Sequence, residues 1–223
     1  MIEDPVKGML SAQEARVLGC LMEKQMTTPD YYPLTLKALT AACNQKSSRA
    51  PVMNLSGGEV GGLVNALRAR GLITARMDGR ADRYEQHLSR KLRISTRERA
   101  VLCVLMLRAA LTLNEIRICT GRMVAFDSND ELLELLQQMA ERDEPLLRRI
   151  PRRAGQREDR YAQLLCGEPE IEALPTCAGG ATGGGRMEVD RIAVLEEEVA
   201  GLKKEVQRLW QLTGLAADQG DPD

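Results

Sequence analysis

The side chains in this chain that can do chemistry are arginines more than nucleophiles. Arg148, Arg149, Arg152, Arg153, Arg157 and Arg160 crowd into one short stretch. Guanidinium groups at that density suit neutralisation of phosphates. Glu158 and Asp159 lie among them, so a solvated hairpin with internal ion pairs is the other reading, and both stay open. A second set is spread along the first ninety residues: Lys46, Arg49, Arg68, Arg70, Arg76, Arg80 and Arg83. These are candidate phosphate contacts, and the Asn65 amide is a candidate reader of a base edge.

Catalysis has little to stand on. His87 is the single histidine, and a lone exposed histidine is more often inert than a base or a ligand. Gly57, Gly58, Gly61 and Gly62 fall inside a helical pattern rather than after a strand, so they make no phosphate loop. The six cysteines, Cys20, Cys43, Cys103, Cys119, Cys166 and Cys177, include no C-x-x-C pair. They read as reduced and mostly buried thiols, not as a zinc site or a disulfide framework. Met22, Met26, Met106 and Met139 sit at helical core spacing. The expectation is a protein that is not an enzyme and holds no cofactor or metal.

The elements that position these side chains are written twice. Ser11–Met22 and Ser95–Met106 both fit S-x-x-E-x-x-V-L-x-x-L-M. The serine predicts a helix N-cap, and Glu14 or Glu98 completes a capping box. Leu34-Thr35-Leu36 recurs as Leu111-Thr112-Leu113, and Ser56 with Glu59 recurs as Ser128 with Glu131, again a capping box. Asp82-Arg83-Tyr84 recurs as Asp159-Arg160-Tyr161. The blocks keep their order, roughly 72 to 84 residues apart, too long a period for a solenoid.

The first copy predicts helices from Ser11 to about Met26, Thr35 to Asn44, and Ser56 to near Gly71. A hairpin of Leu72–Met77 and Arg83–Leu88 follows, turning at Asp78-Gly79-Arg80. The second predicts helices over Ser95–Ala110, Leu113–Thr120 and Ser128–Arg142, then strands Leu146–Arg153 and Arg160–Cys166. Pro151 implies an edge position for its strand. Three helices and a hairpin are the order of a winged helix-turn-helix domain, whose third helix enters the major groove in DNA-binding members. Gln45–Val52 reads as a self-bonded loop bracing the third helix, with Asn44 as C-cap and Cys43 and Val52 as packing residues; a contact site is the alternative.

Beyond the copies, Thr176–Arg186 holds five glycines and reads as a linker. Ile192, Leu195, Val199, Leu202, Val206 and Leu209 then alternate spacings of three and four, a seam for a parallel two-stranded coil. The reading adopted is a homodimer through this seam; the alternative is one amphipathic helix packed on its own body. Met1–Met9 reads as a loose leader. The longest apolar run, Ala100–Leu107, is too short to span a bilayer, and no secretory h-region is visible.

Tyr32-Pro33-Leu34-Thr35-Leu36-Lys37-Ala38-Leu39, then Ala42-Cys43-Asn44-Gln45-Lys46-Ser47-Ser48-Arg49 and Pro51-Val52, resembles the signature of the YceH family of bacterial proteins. The similarity runs from about Leu10 to Leu165. It implies two tandem winged-helix domains and offers no catalytic residue to carry over.

The expected fold is therefore mainly α with small β-hairpins (α+β). Two tandem winged helix-turn-helix domains span 1–91 and 92–175, followed by a linker at 176–186, a coiled-coil helix at 187–213 and a disordered tail at 214–223. The expected setting is bacterial cytoplasm, with no membrane partner. Net charge is −1 over 223 residues, so nucleic-acid binding must rest on local patches. Residues 1–91 supply one, with thirteen Lys and Arg against nine Asp and Glu. The second third helix is acidic (Asp130, Glu131, Glu134, Glu141 and Asp143) and should be repelled by phosphate. Two functions follow. One is a DNA-binding regulator using the first domain and both wings. The other is a protein-interaction adaptor that binds no DNA, with a protein partner held through the second domain.

Overall fold

Each helix begins where a side chain can satisfy its first backbone N–H groups. Helix α1, Ala12–Thr27, opens at Ser11 with a full capping box: Glu14 N–H donates to Ser11 Oγ at 3.1 Å and Ser11 N–H to Glu14 Oε2 at 2.8 Å. Its counterpart α5, Thr96–Arg108, opens the same way at Ser95. Thr35 caps α2, Leu36–Cys43, and Ser56 with Glu59 forms the box of α3, Gly57–Ala69. In the second copy Thr112 with Glu115 boxes α6, Leu113–Thr120. Helix α7, Asn129–Ala140, departs from the expected box. Ser128 Oγ accepts from Glu131 N–H, but the Glu131 carboxylate accepts from Asp127 N–H and pairs with Arg97.

The computed structural model describes residues 10–78, 81–153 and 156–169. The leader, Arg80, Cys177, the glycine-rich linker, the seam from Ile192 to Leu209 and the tail lie outside the described residues.

The architecture is mixed α+β, with seven α-helices and two small antiparallel sheets among the described residues. Strands β2, Ile73–Asp78, and β3, Ala81–Gln86, make the first expected hairpin. The second is β5, Leu147–Ile150, with β6, Arg160–Gln163. Each sheet has a third strand that periodicity does not show. β1, Leu34–Thr35, pairs with β3 (Leu34 opposite Tyr84), and β4, Leu111–Thr112, pairs with β6 (Leu111 opposite Tyr161). The strand orders are β1-β3-β2 and β4-β6-β5. Two residues are too few to alternate visibly, and Thr35 and Thr112 are also helix caps. β5 lies at a sheet edge and Pro151 falls just past its end, where no ladder N–H is needed. A short helix α4, Leu88–Lys91, joins the copies.

Both copies belong to one compact unit and share one apolar core. The reason lies in α1 and α5. Ala15–Met22 and Ala100–Leu107 are buried at every position. A helix with no polar face must be covered on all sides: each has its own module on one side and the other central helix on the other. They cross closely at Gly19, where an added Cβ would stand 3.0 Å from Leu107 Cδ2 and 3.3 Å from Met106 Cβ. Cys103 Sγ donates to the Gly19 carbonyl across this crossing.

The copies also repeat their tertiary contacts. Arg70 at the end of α3 pairs with Glu14 at 3.1 Å, and Arg142 past the end of α7 pairs with Glu98 at 2.9 Å. Arg83 donates to the Pro33 carbonyl and Arg160 to the Ala110 carbonyl, each just ahead of the short strand.

Candidate nucleic-acid interface

Third helices α3 and α7 stand at equivalent places, and their outward faces differ. Aligning Ser56 with Ser128 sets Gly58 against Asp130, Gly62 against Glu134 and Ala69 against Glu141, all exposed. On α3 the sole carboxylate is Glu59. It is engaged with Ser56, whose hydroxyl and backbone N–H hold its carboxyl below the ordinary value. Asp130 and Glu134 on α7 and Glu141 at its C-cap form no ion pair with another of the described residues. Gly57 and Gly62 face open space where a Cβ would stand, and Gly61 would meet only Leu36 Cδ2 at 3.7 Å. Internal packing therefore does not require glycine here, although each glycine inside a helix costs about 1 kcal/mol against alanine.

The structure places Lys46, Asn65 and Arg68 on the surface, with Arg68 at 3.5 Å from Asn65 Oδ1. Lys37 on α2, which the sequence reading did not single out, is also exposed. Arg76 is exposed on β2 and pairs with Glu85 at 3.1 Å.

One residue of the expected set points inward. Arg49 is a correction: its side chain is fully buried and cannot reach a phosphate. Its Nε donates to the Ala42 carbonyl, Nη1 to Glu23 Oε1 and the Ser48 carbonyl, and Nη2 to Glu23 Oε2 at 2.6 Å and Gln45 Oε1 at 2.8 Å. All five guanidinium N–H groups are thus accounted for. Burial pushes the Glu23 carboxyl up, and the Arg49 hydrogen bonds more than reverse this, so it sits below the ordinary value. Arg83 is half-buried, and its Nη1 donates to the Pro33 carbonyl at 3.0 Å.

The Gln45–Val52 loop is braced mainly from within the first copy, with one bond to the second. Asn44, the α2 C-cap, clasps Leu55: Nδ2 donates to its carbonyl at 2.7 Å and Oδ1 accepts from its N–H at 2.8 Å. Ala50 N–H donates to the Leu107 carbonyl of α5. Val52, expected to pack, is instead 56% exposed.

The arginines of the second hairpin largely hold each other's neighbours. Arg148 pairs with Glu168, and Arg149 with Asp159, whose other oxygen accepts from Arg152 N–H at 2.9 Å. Arg152 Nη1 reaches the Arg157 carbonyl at 3.4 Å. Arg153 N–H donates to Gln156 Oε1. Hydrogen bonding to Asp159 raises the Arg149 guanidinium, while the Arg152 N–H and then Arg149 hold the Asp159 carboxyl down.

His87 closes β3, with Nε2 at 2.6 Å from Thr74 Oγ1 and Nδ1 at 3.3 Å from Arg90. Among the described residues no group of three or more His, Cys, Asp or Glu side chains is placed to hold a metal ion. No helix among them is long and apolar enough to cross a membrane.

This is a duplicated α+β protein whose polar side chains are arranged to pair and to present surfaces. It belongs to the family described as "Protein of unknown function, DUF480", whose model matches residues 10–156. It is similar to a UPF0502 protein of Cellvibrio japonicus, 44% identical over 214 residues, covering 94% of this chain and 98% of that one. A UPF0502 protein of Pseudomonas fluorescens is 44% identical over 209 residues, covering 92% and 94%. One from Solibacter usitatus is 46% identical over 197 residues, covering 87% and 93%. The relatives are bacterial proteins.

Proposed function

We propose that the two copies are tandem winged helix-turn-helix domains, as in the YceH family, and that the protein binds duplex DNA in the bacterial cytoplasm through α3. The observation that carries this reading is the outward face of α3. It has no free carboxylate, it is flanked by Lys46 and Arg68, and three of its outward positions are glycines that the interior does not need. Glycine lets a second surface come close to the helix backbone. In this arrangement Lys37, Lys46 and Arg68 neutralise phosphates and Asn65 meets a base edge. Arg76 on the first wing is a further phosphate contact. The protein acts without catalysis, as a regulator-like binder, and dimerises through the Ile192–Leu209 seam.

A second reading applies to copy two. The exposed acids of α7 and the internally paired arginines of its hairpin favour a protein partner there over DNA. If no duplex binds at all, the whole protein is an adaptor.

The test is anisotropy of a labelled random duplex at two salt concentrations. Wild type is expected to bind at low salt and to lose affinity steeply as salt rises. Lys46→Ala/Arg68→Ala should reduce both the affinity and the salt slope, while Asp130→Asn/Glu134→Gln should leave binding undiminished. Absence of binding at low salt overturns the DNA reading and leaves the adaptor.

A further inference from the structure

The strand orders β1-β3-β2 and β4-β6-β5 make β2 and β5 the outer strands of the two hairpins. Which of their backbone groups face outward follows from the ladder. In an antiparallel pair, facing residues alternate between exchanging both N–H···O bonds and exchanging none. Ile73 lies opposite Gln86, and the His87 N–H donates to the Leu72 carbonyl at 2.8 Å. Thr74 and Arg76 therefore bond to β3, and the N–H and C=O groups of Ile73, Ala75 and Met77 point away from it. The same parity holds at Gln86, whose N–H turns away from β2 and donates to Tyr32 Oη at 2.8 Å. The outward groups of Ile73, Ala75 and Met77 have no backbone partner among the described residues.

The second hairpin repeats this parity and closes its edge. Leu164 N–H donates to the Leu146 carbonyl at 2.9 Å, and Arg149 faces Tyr161 as Ala75 faces Tyr84. The outward positions of copy two are therefore Leu147, Arg149 and Pro151. Pro151 has no N–H to offer, and Arg149 sets an exposed charge at the middle of the edge. Proline and charge keep an edge strand from pairing with another. Copy one has Met77 and Ala75 at those two places, and Met77 is 85% exposed. One edge is blocked, and its duplicate is open with an apolar side chain near its end.

We propose that β2 is an interaction edge for a second copy of this chain, pairing antiparallel with the same strand across a two-fold axis at Ala75. The residues of the strand select that register. Centred on Ala75, every outward residue finds a partner: Ile73 the partner's Met77, Ala75 the partner's Ala75, and Met77 the partner's Ile73. Each of these pairs exchanges both of its backbone hydrogen bonds. On one face Met77 trades solvent for the partner strand, and the two small Ala75 side chains meet at the axis. On the other face Thr74 lies opposite the partner's Arg76, so no like charges are opposed. An axis at Arg76 leaves Ile73 unpaired and sets Arg76 against the partner's Arg76, which is destabilising. An axis at Thr74 draws in Gly71, whose φ of +64 is not extended. The blocked strand β5 offers no equivalent: an axis at Arg149 would oppose two guanidinium groups and meet Pro151 at the next outward position.

The experiment uses the full-length protein at high concentration and reads hydrogen exchange at single amides by NMR. The reference is Ala75→Arg, which places on the open edge the residue type that the blocked edge carries. The outward amides of Ile73 and Met77 should exchange at least about tenfold slower in wild type than in Ala75→Arg. Thr74 and Arg76, already bonded to β3, should keep their rates. Ala75→Pro removes only an outward N–H and should match Ala75→Arg, so the result does not hang on one variant. In parallel, Ala75→Cys is oxidised and its peptides are mapped by mass spectrometry. Facing Cα atoms at the axis stand about 5.5 Å apart, within disulfide reach, so this variant should give a dimer linked through that position. Arg149→Cys, at the matching place on the blocked edge, should not. The proposal is overturned if Ile73 and Met77 exchange equally fast in wild type and Ala75→Arg. It is also overturned if Ala75→Cys yields no linked dimer, since slow exchange without the link means that another segment of the chain covers the edge. Linking of Arg149→Cys as readily as Ala75→Cys overturns it as well.

Discussion

Helices α3 and α7 hold the same position, open on the same serine cap and are tied down by the same kind of bond, Arg70 to Glu14 and Arg142 to Glu98. Their inner faces match: Val60, Val64 and Leu67 are buried on one, Leu132, Leu136 and Met139 on the other. Outward, Gly58, Gly62 and Ala69 face solvent on α3 where Asp130, Glu134 and Glu141 face it on α7. The duplicated module keeps what the core demands, and the copies differ on the faces turned to solvent. The same split appears behind the helices. Copy one has a long loop locked by the buried Arg49–Glu23 pair; copy two has a shorter connection, and its Arg160–Glu115 pair, built on the counterpart of Arg83, is 46% exposed on the glutamate side.

The strongest way to break the comparison is to remove one carboxylate from each copy. Glu23→Gln leaves the Arg49 guanidinium buried without its counter-charge, and denaturant unfolding should register a loss of about 3–5 kcal/mol. Glu115→Gln should cost less than about 1 kcal/mol, since the pair is half in water. The acid dependence should differ as well. The Glu23 carboxyl lies below its unfolded value, so its contribution is complete above the ordinary carboxylate range and is lost as pH falls through the folded value. The wild-type loss of stability on acidification should shrink in Glu23→Gln. Equal costs for the two variants would mean that burial does not separate the copies.

A smaller effect of opposite sign tests the glycines. Gly62→Ala places a methyl group in open space, so it should stabilise the fold by about 1 kcal/mol. If α3 lies against a duplex, the same change should weaken binding while raising the unfolding midpoint. A stabilised variant that binds undiminished would remove close approach as the reason for glycine and leave the flanking cations as the argument for α3.

How much of this was legible in the sequence follows from the range of each interaction. Capping boxes act over three residues, so Ser11, Ser56 and Ser95 could be read directly, and the duplicated order carried the two modules. Ser128 was half readable, because Glu131 is drawn away by Arg97, which is distant in the chain. The short strands β1 and β4 were hidden inside helix caps. Arg49 was misread for a general reason. A buried arginine and a phosphate-binding arginine look alike until the carboxylate is found, and Glu23 lies 26 residues away on another helix. The DRY arginines Arg83 and Arg160 carried a usable signal, since a residue repeated in both copies at a core-bound tyrosine is more readily explained by the shared fold than by a surface one copy uses alone. Arg68 falls opposite Ala140 and has no counterpart charge in copy two, and it faces outward.

The finest cut concerns the bond that the copies share. Arg70 pairs with Glu14 and Arg142 with Glu98 at nearly equal distances, with arginine side chains 23% and 32% exposed. In each case the glutamate uses its other oxygen for the capping box, so removing the arginine leaves the cap intact; Arg142 also donates to the Leu92 carbonyl at 3.1 Å, so the pair itself is isolated by a double-mutant cycle and not by the single change. Screening by water limits such a pair to a fraction of a buried one. Arg70→Met and Arg142→Met should therefore each cost about 0.5–1 kcal/mol in denaturant unfolding. A double-mutant cycle with Glu14→Gln or Glu98→Gln should recover a coupling of similar size in both copies. Neither change touches the outward faces, so duplex binding should follow wild type in both. A cycle that finds coupling in one copy alone would show that the divergence between α3 and α7 reaches through the helix to the side that faces the core.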